Sequence, residues 1–278
     1  MLIAFLKATR PQTLIVGIMP VGLASLLAYQ QNAVINSQFF LLSLLLVFAL
    51  QISVNYFNDA IDFEKGADHN RIGPKRMTQE GKLSPSQIKI AASLLLVFSA
   101  IIGIPYIKLH WLYLPFGITS LYFAYGYTGG PYPLAYKALG EAFVFLYFGL
   151  VATLGTFYAL TLEISLTSFH LACLIGLNAV FVIATNNLRD FKTDQLVHKR
   201  TLCVVLGPKT FSRFLITLVI AKLAFNIFFY QHLLMAIIST IINIFFLYKL
   251  SSKQTVKIFP ISIFVFLIEM ILLMAALL

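Results

Sequence analysis

Apolar runs of about 18 residues or more recur along this chain, each long enough to cross a ~30 Å hydrocarbon core as a helix. Nine such segments lie near 12–30, 38–57, 88–107, 111–127, 139–160, 167–187, 211–230, 232–249 and 258–278. Backbone groups in lipid find no water, so a spanning chain must be helical or a closed barrel. Continuous apolar runs, rather than strict alternation, select helices. Composition agrees: 60% of the 278 residues are hydrophobic and 11% are charged, against roughly 25% charged in ordinary soluble domains. The expected fold class is an all-α integral membrane protein of about nine transmembrane helices. Lys7 and Arg10 precede the first apolar run. That run is longer than the core of a cleaved signal, so it is read as a retained span. Cys173 and Cys203 imply no disulfide framework.

Charge sorts by side. With the N-terminus in the cytoplasm, the inside segments are the N-terminus, 58–87, 128–138, 188–210 and 250–257, with their flanks. These collect nearly all the Lys and Arg, whereas the outside turns hold only Lys108. That asymmetry is the positive-inside rule, and it sets the expected orientation. The formal net charge of +10 then reads as topology plus contact with anionic membrane lipid. No basic, aromatic-interleaved soluble domain is present to hold a nucleic acid. With no transit peptide, the expected location is a bacterial cell inner membrane, multi-pass, with the N-terminus and the acid-rich loops cytoplasmic. Lys222 and Glu269 fall within spans, where ionisable groups are costly and usually functional or paired; their sequence context assigns them no role.

The ten acids are more informative, because carboxylates contribute little to orientation. Asp59, Asp62, Glu64, Asp68 and Glu80 occupy the first large inside loop, and Asp190 and Asp194 the fourth inside segment. The first reads "NDAIDFEKGAD", with Asn58, Asp62 and Asp68; the second reads "NNLRDFKTD", with Asn186, Asp190 and Asp194. Each follows the inner end of an even-numbered span, and each precedes a Lys-Arg pair, Lys75-Arg76 and Lys199-Arg200. The pattern predicts a single polytopic domain, 1–278, with two structurally equivalent Asp-rich inner loops, 58–87 and 188–210, brought face to face.

The chemistry follows from residue type. Asp190 and Asp194 share one face of a continued helix, as Asp59 and Asp62 do. Two such faces opposed would repel without a cation between them. Hard oxygen ligands suit Mg²⁺ or Mn²⁺, and Mg²⁺ typically combines a few carboxylates with substrate phosphate. Neighbouring Lys and Arg would contact the same anion. The joint reading is a metal-bridged phosphate or diphosphate at the inner mouth of a helical bundle. Asn and Asp also favour caps and turns, and either loop alone would be read equally well as solvated charge. Two loops with matched spacing shift the balance to a site. Twenty-six Phe and thirteen Tyr suit a cavity for an isoprenoid chain and a carbocation, although most such rings in a membrane protein face lipid. A transporter would more often place its ionisable groups near the midplane. A CDP-alcohol phosphatidyltransferase needs an Asp-Gly and an Ala-Arg that "DAIDFEKGAD" lacks.

These residues resemble the UbiA superfamily of membrane prenyltransferases over nearly the whole chain. The likeness includes "ATRPQTL", both Asp motifs and "KRTLCVVLG". The stretches "RIGPKRMTQEGKLSP" and "YTGGPYPLAYKALGE" are similar to the branch that acts on 1,4-dihydroxy-2-naphthoate. The resemblance implies a ring of helices around a central cavity open laterally to lipid. It implies a prenyltransferase reaction: polyprenyl diphosphate, ionised with the help of Mg²⁺, two ions by family precedent, alkylates the aromatic acceptor with loss of diphosphate and CO2, giving demethylmenaquinol. Another acceptor, 4-hydroxybenzoate or homogentisate, is the alternative within the family. Carried over, the motifs imply metal and diphosphate roles for Asn58, Asp59, Asp62, Asp68, Asn186, Asp190 and Asp194, with Asp62, Asp190 and Lys65 central to catalysis. Substrate contacts are expected from Arg10, Lys65, Arg71, Lys75, Arg76, Asn187, Arg189, Lys199 and Arg200. Tyr127, Tyr132 and Lys137 are expected near the acceptor. Val197 and His198 stand where the family usually carries small residues or Gly before the Lys at 199.

Overall fold

The computed structural model describes residues 1–33, 35–67, 73–229, 233–251 and 255–278. A short helix α1 (Leu2–Ala8) leads into α2 (Pro11–Gln30), α3 (Ser37–Glu64), α4 (Pro85–Leu109) and α5 (Tyr113–Gly126). A turn region with a 3₁₀ segment, Leu134–Tyr136, connects to a continuous rod made of α6 (Gly140–Val144), a π-helical stretch (Phe145–Leu154) and α7 (Gly155–Thr161). Then come α8 (Leu166–Leu196), the short α9 (Leu202–Leu206), α10 (Pro208–Phe229), α11 (Leu233–Ser251) and α12 (Thr255–Leu277). No strand is formed among the described residues, as the unbroken apolar runs require.

Every segment expected to span falls on one of these rods. Among the described residues, six are long and apolar enough to cross a membrane: Pro11–Gln30, Ser37–Glu64, Pro85–Leu109, Gly140–Thr161, Leu166–Leu196 and Phe259–Leu277. The rod expected near 111–127 is 14 residues long, or about 21 Å at 1.5 Å per residue, and falls short of a full crossing. Wide exposed apolar faces, including Leu41, Leu45, Ile90, Leu94, Val97 and Ile101, are what lipid rather than water would cover. The chain is a multi-pass membrane protein.

Local chemistry sets the helix boundaries. Asn36 caps α3 by accepting from the Gln38 and Phe39 amides. Ser84 and Gln87 form a reciprocal capping box at the start of α4, and Ser165 and Ser168 do the same for α8. Pro11 and Pro85 occupy first-turn positions, where a missing N–H costs nothing. The two acid motifs differ in one respect from expectation. They are not loops at their start: α3 runs through to Glu64 and α8 through to Leu196. Asn58 and Asp62 therefore share one helical face, as do Asn186, Asp190 and Asp194.

Packing places those two helix ends together. α8 lies against the π-helical stretch, α10 and α12, and α3 lies against α2, α4 and α5. At Gly149 a Cβ would come within 2.7 Å of the Gly176 Cα and 2.8 Å of the Ala172 carbonyl oxygen. Only glycine permits that approach of rod to rod. A core of Leu23, Leu27, Phe157, Leu171, Leu174, Phe266 and Met270 ties α2, α7, α8 and α12 together.

Between the helices lies an apolar cavity of about 1020 Å³. Its walls come from α1 to α5, the α6–α7 rod and α8, with Phe259 of α12. Among the described residues, none of α10 or α11 lines it.

Candidate functional site

At one end of this cavity the wall becomes polar. A chamber of about 70 Å³ is lined by both acid motifs: Asn58 and Asp62 from α3, and Asn186, Asn187, Asp190 and Asp194 from α8. The large cavity and the chamber share Arg10, Asn58, Arg76, Tyr127, Ile183 and Asn186 as common wall. A long apolar space thus abuts a compact hydrogen-bonding one.

Asp62 is the hub. Its Oδ2 accepts from Arg76 Nη2 at 2.9 Å and from Lys199 Nζ at 3.1 Å, and its Oδ1 accepts from the Tyr136 hydroxyl at 2.8 Å. Lys199 belongs to the second motif region, so an ammonium from one half seals a carboxylate of the other. The same Nζ lies 4.0 Å from Asp194 Oδ1. Arg76 also donates to the Asn58 carbonyl, and the Thr128 hydroxyl to the Asn58 side-chain oxygen. In α8, Arg189 grips Asp190 with two bonds of 2.7 Å each, and donates to Asn186 Oδ1 at 2.8 Å. A Cβ on Gly73 would sit 3.0 Å from Arg189 Nη2, so the first loop packs directly on the second motif's guanidinium. Lys65 donates to the Thr128 carbonyl at 2.7 Å and stands 4.1 Å from the Tyr136 ring centre.

The three inner segments are therefore braced into one unit. A single bridge pairs Lys137 with Arg200, and the Ala138 amide donates to the Arg200 carbonyl at 2.8 Å. Ala138 and His198, at φ 58° and 54°, turn the chain in the left-handed region to make this junction. The His198 turn sets Lys199 back toward Asp62. That is the physical sense of the small residues expected before Lys199: the position favours glycine, and His is among the more tolerant side chains there.

Burial tunes the groups around the chamber. Burial first, then the Asp62 charge, pushes the Tyr136 phenol far above its ordinary value, so it stays a donor to Asp62. Desolvation lowers the Lys65 ammonium, opposed by the attraction of Asp62.

Several expected residues stand elsewhere. Asp59 does not line the chamber: its carboxylate accepts from the Met77 and Thr78 amides, each at 3.3 Å, and from the Thr78 hydroxyl, which fixes the returning loop. Lys75 reaches only the large cavity. Tyr132 and Lys137 face outward, with the ammonium 5.3 Å from the ring centre, and neither lines either space. Arg200 contributes its carbonyl to the junction and its side chain is exposed. Asp68 and Arg71 lie outside the described residues. Sequence reasoning missed Tyr136, Thr128 and Glu141. Each sits in or beside "YTGGPYPLAYKALGE", a segment read only as turn and acceptor loop, so proximity to that motif was the available signal.

Hard oxygen donors from Asn58, Asp62, Asn186, Asp190 and Asp194 suit a divalent cation by type. In the structure the Arg76, Arg189 and Lys199 cations lie on these carboxylates. Among the described residues no group of three or more His, Cys, Asp or Glu is gathered at ligating distance.

These features define a class: a helical membrane protein with a buried two-signed polar site at the end of an apolar cavity. The UbiA prenyltransferase family matches residues 18–268, and the chain belongs to that family. It is 40% identical over 169 residues to the 1,4-dihydroxy-2-naphthoate octaprenyltransferase of Mycobacterium leprae (strain TN), covering 60% of this chain and 57% of that relative. The match thus spans a little over half of that relative's length. The Escherichia coli (strain K12) protein of the same name is 33% identical over 239 residues, 81% of this chain and 77% of that one. A UbiA homolog from Archaeoglobus fulgidus, solved bound to GPP and Mg²⁺, superposes with a TM-score of 0.68 at 13% identity, covering 98% and 99% of the two chains. That likeness establishes a common fold.

Proposed function

We propose that this protein transfers a polyprenyl group from polyprenyl diphosphate to 1,4-dihydroxy-2-naphthoate, releasing diphosphate and CO2. The observation that carries the reading is the convergence of two acid motifs, about 130 residues apart in the chain, on one polar chamber at the end of the 1020 Å³ apolar cavity. An apolar chain with a charged head matches that division of space. The relatives' shared name supports the acceptor.

In this reading Asn58, Asp62, Asn186, Asp190 and Asp194 would hold Mg²⁺, two ions on the family resemblance, with Asp68 as a further ligand. The metal supplies Lewis-acid neutralisation of departing diphosphate. Arg10, Arg76, Arg189 and Lys199 would meet the diphosphate oxygens, the last three exchanging their present carboxylate partners for phosphate. Lys65 and Tyr136 brace the first motif from outside the chamber. Phe143, Tyr147 and Phe148 line the large cavity, where ring faces stabilise positive charge developing on the prenyl carbon. The walls exclude water, which keeps the allylic cation for the aromatic acceptor. The chain is one polytopic domain, 1–278, with structurally equivalent motif regions. The motifs face the cytoplasm, and the membrane is a bacterial inner membrane, on the charge asymmetry described above.

The test is an acceptor competition. Membranes holding the protein receive labelled polyprenyl diphosphate and Mg²⁺ with 1,4-dihydroxy-2-naphthoate or 4-hydroxybenzoate, with and without EDTA. A prenylated lipid formed only with the naphthoate, and lost with EDTA, is expected. Product with the benzoate alone would keep the chemistry and replace the acceptor.

A further inference from the structure

Glu141 stands at the start of α6 and is 4% exposed. Its two oxygens have different fates. Oε1 accepts from Asn187 Nδ2 at 2.9 Å, which ties α6 to the second acid motif. Oε2 is fully buried and has no hydrogen-bond partner. The residue lines the 70 Å³ chamber together with Asp62, Asp190, Asp194 and Lys199. Beside it, a Cβ on Gly140 would lie 3.0 Å from the Tyr127 hydroxyl, so glycine lets the chamber wall close tightly there.

A buried carboxylate oxygen left without a donor is costly, and such atoms call for an explanation. A bracket for Asn187 would need only Oε1, and glutamine could provide it. The second oxygen is a hard donor on a residue that lines the chamber together with the motif acids. We propose that Glu141 is a further ligand of the divalent-cation site, presenting Oε2 to the ion while Oε1 holds Asn187 in place next to Asp190. The inference rests on the metal-dependent reading above and adds a carboxylate that neither acid motif contains. It also gives the "KALGE" segment a part in the site beyond turn formation.

The experiment is Mn²⁺ binding to the full-length protein in detergent, without substrate, read by the electron paramagnetic resonance of free Mn²⁺. Glu141→Gln keeps an acceptor for Asn187 and removes the charge, and Asp62→Asn serves as the motif control. The expected result is that both variants bind Mn²⁺ roughly 10-fold or more weakly than the parent, while the thermal midpoint of metal-free Glu141→Gln stays at the parental value. Parental Mn²⁺ affinity in Glu141→Gln, with loss in Asp62→Asn, would reduce Glu141 to a bracket and overturn the proposal alone. No saturable Mn²⁺ binding by the parent would overturn both this proposal and the metal reading it rests on. Should Glu141→Gln fail to fold, Glu141→Asp replaces it: its shorter stem should weaken Mn²⁺ binding, and unchanged affinity would refute the assignment.

Discussion

Two of the buried polar clusters among the described residues contain charged side chains and are built differently. One is the chamber between α3 and α8. The other joins α10, α11 and α12 through Lys222, Asn226, Ser239, Asn243 and Glu269, each at most 2% exposed. In the second, Lys222 Nζ donates to Asn243 Oδ1 at 3.1 Å and lies 4.9 Å from the Phe181 ring centre. Glu269 Oε1 accepts from Ser239 at 2.8 Å and from Asn243 at 2.6 Å, and Asn226 donates to Ser239 at 2.6 Å. Neither described cavity touches any of these five residues. The chamber, by contrast, shares a wall with the 1020 Å³ space and gathers four carboxylates around it. Burial of charge is common to both. What separates a site from a staple is vacant, polar-walled volume beside the charge.

The comparison can be broken from either side. The largest effect belongs to the chamber: Asp62→Ala or Asp190→Ala should lower prenyl transfer by about 10²–10³-fold or more, with normal membrane insertion. Full activity in either variant, measured with labelled diphosphate, would remove the acid motifs from the chemistry. Next comes the staple. Lys222→Ala or Glu269→Ala removes one of two opposite buried charges bridged by Asn243 and should cost on the order of 2–4 kcal/mol of stability, seen as a lower thermal midpoint in detergent. Turnover per folded molecule should hold, and the double variant Lys222→Met with Glu269→Leu should recover much of the midpoint. Lost turnover at an unchanged midpoint would make the staple part of the mechanism.

A smaller effect sharpens the chamber itself. Lys199→Met removes the ammonium that joins Asp62 to the second motif region, a charge-assisted contact of roughly 1.5–3 kcal/mol. Transfer should fall by about 10–100-fold, with weaker diphosphate binding measured as a raised KM for the donor. Smallest of all is His198→Gly, which relieves a left-handed backbone at φ 54°. Stability should stay within about 1 kcal/mol of the parent or rise, and activity should not change. A marked loss would give the imidazole a role that its position on the exposed turn does not supply.

Much of this was legible in the chain. Long apolar runs in a solvent without hydrogen bonds leave helices as the available answer, so the rods fall where the runs do. The matched Asn58/Asp62 and Asn186/Asp190/Asp194 spacings foretold two faces meeting, because four-residue steps keep side chains on one side of a helix. Less legible was which neighbour each charge would take. Asp59 and Asp62 look alike in sequence, yet Asp59 holds a loop and Asp62 is the hub. Tyr132 and Tyr136 lie in one turn, yet only Tyr136 reaches an acid.

Periodicity and the refusal of lipid to solvate a backbone set the class of fold, the position of the rods and the matched spacing of the two acid motifs, all readable from the residues alone. Tertiary structure alone decided the contents of the chamber. Lys199 meets Asp62 across 137 residues of chain, and Glu141 enters through a turn at Ala138 and a glycine at Gly140. Lys222 and Glu269 border neither described cavity, and their partners make them a staple. Contacts between distant residues, and the empty space they enclose, depend on how helices pack, and no local pattern of residues carries that information.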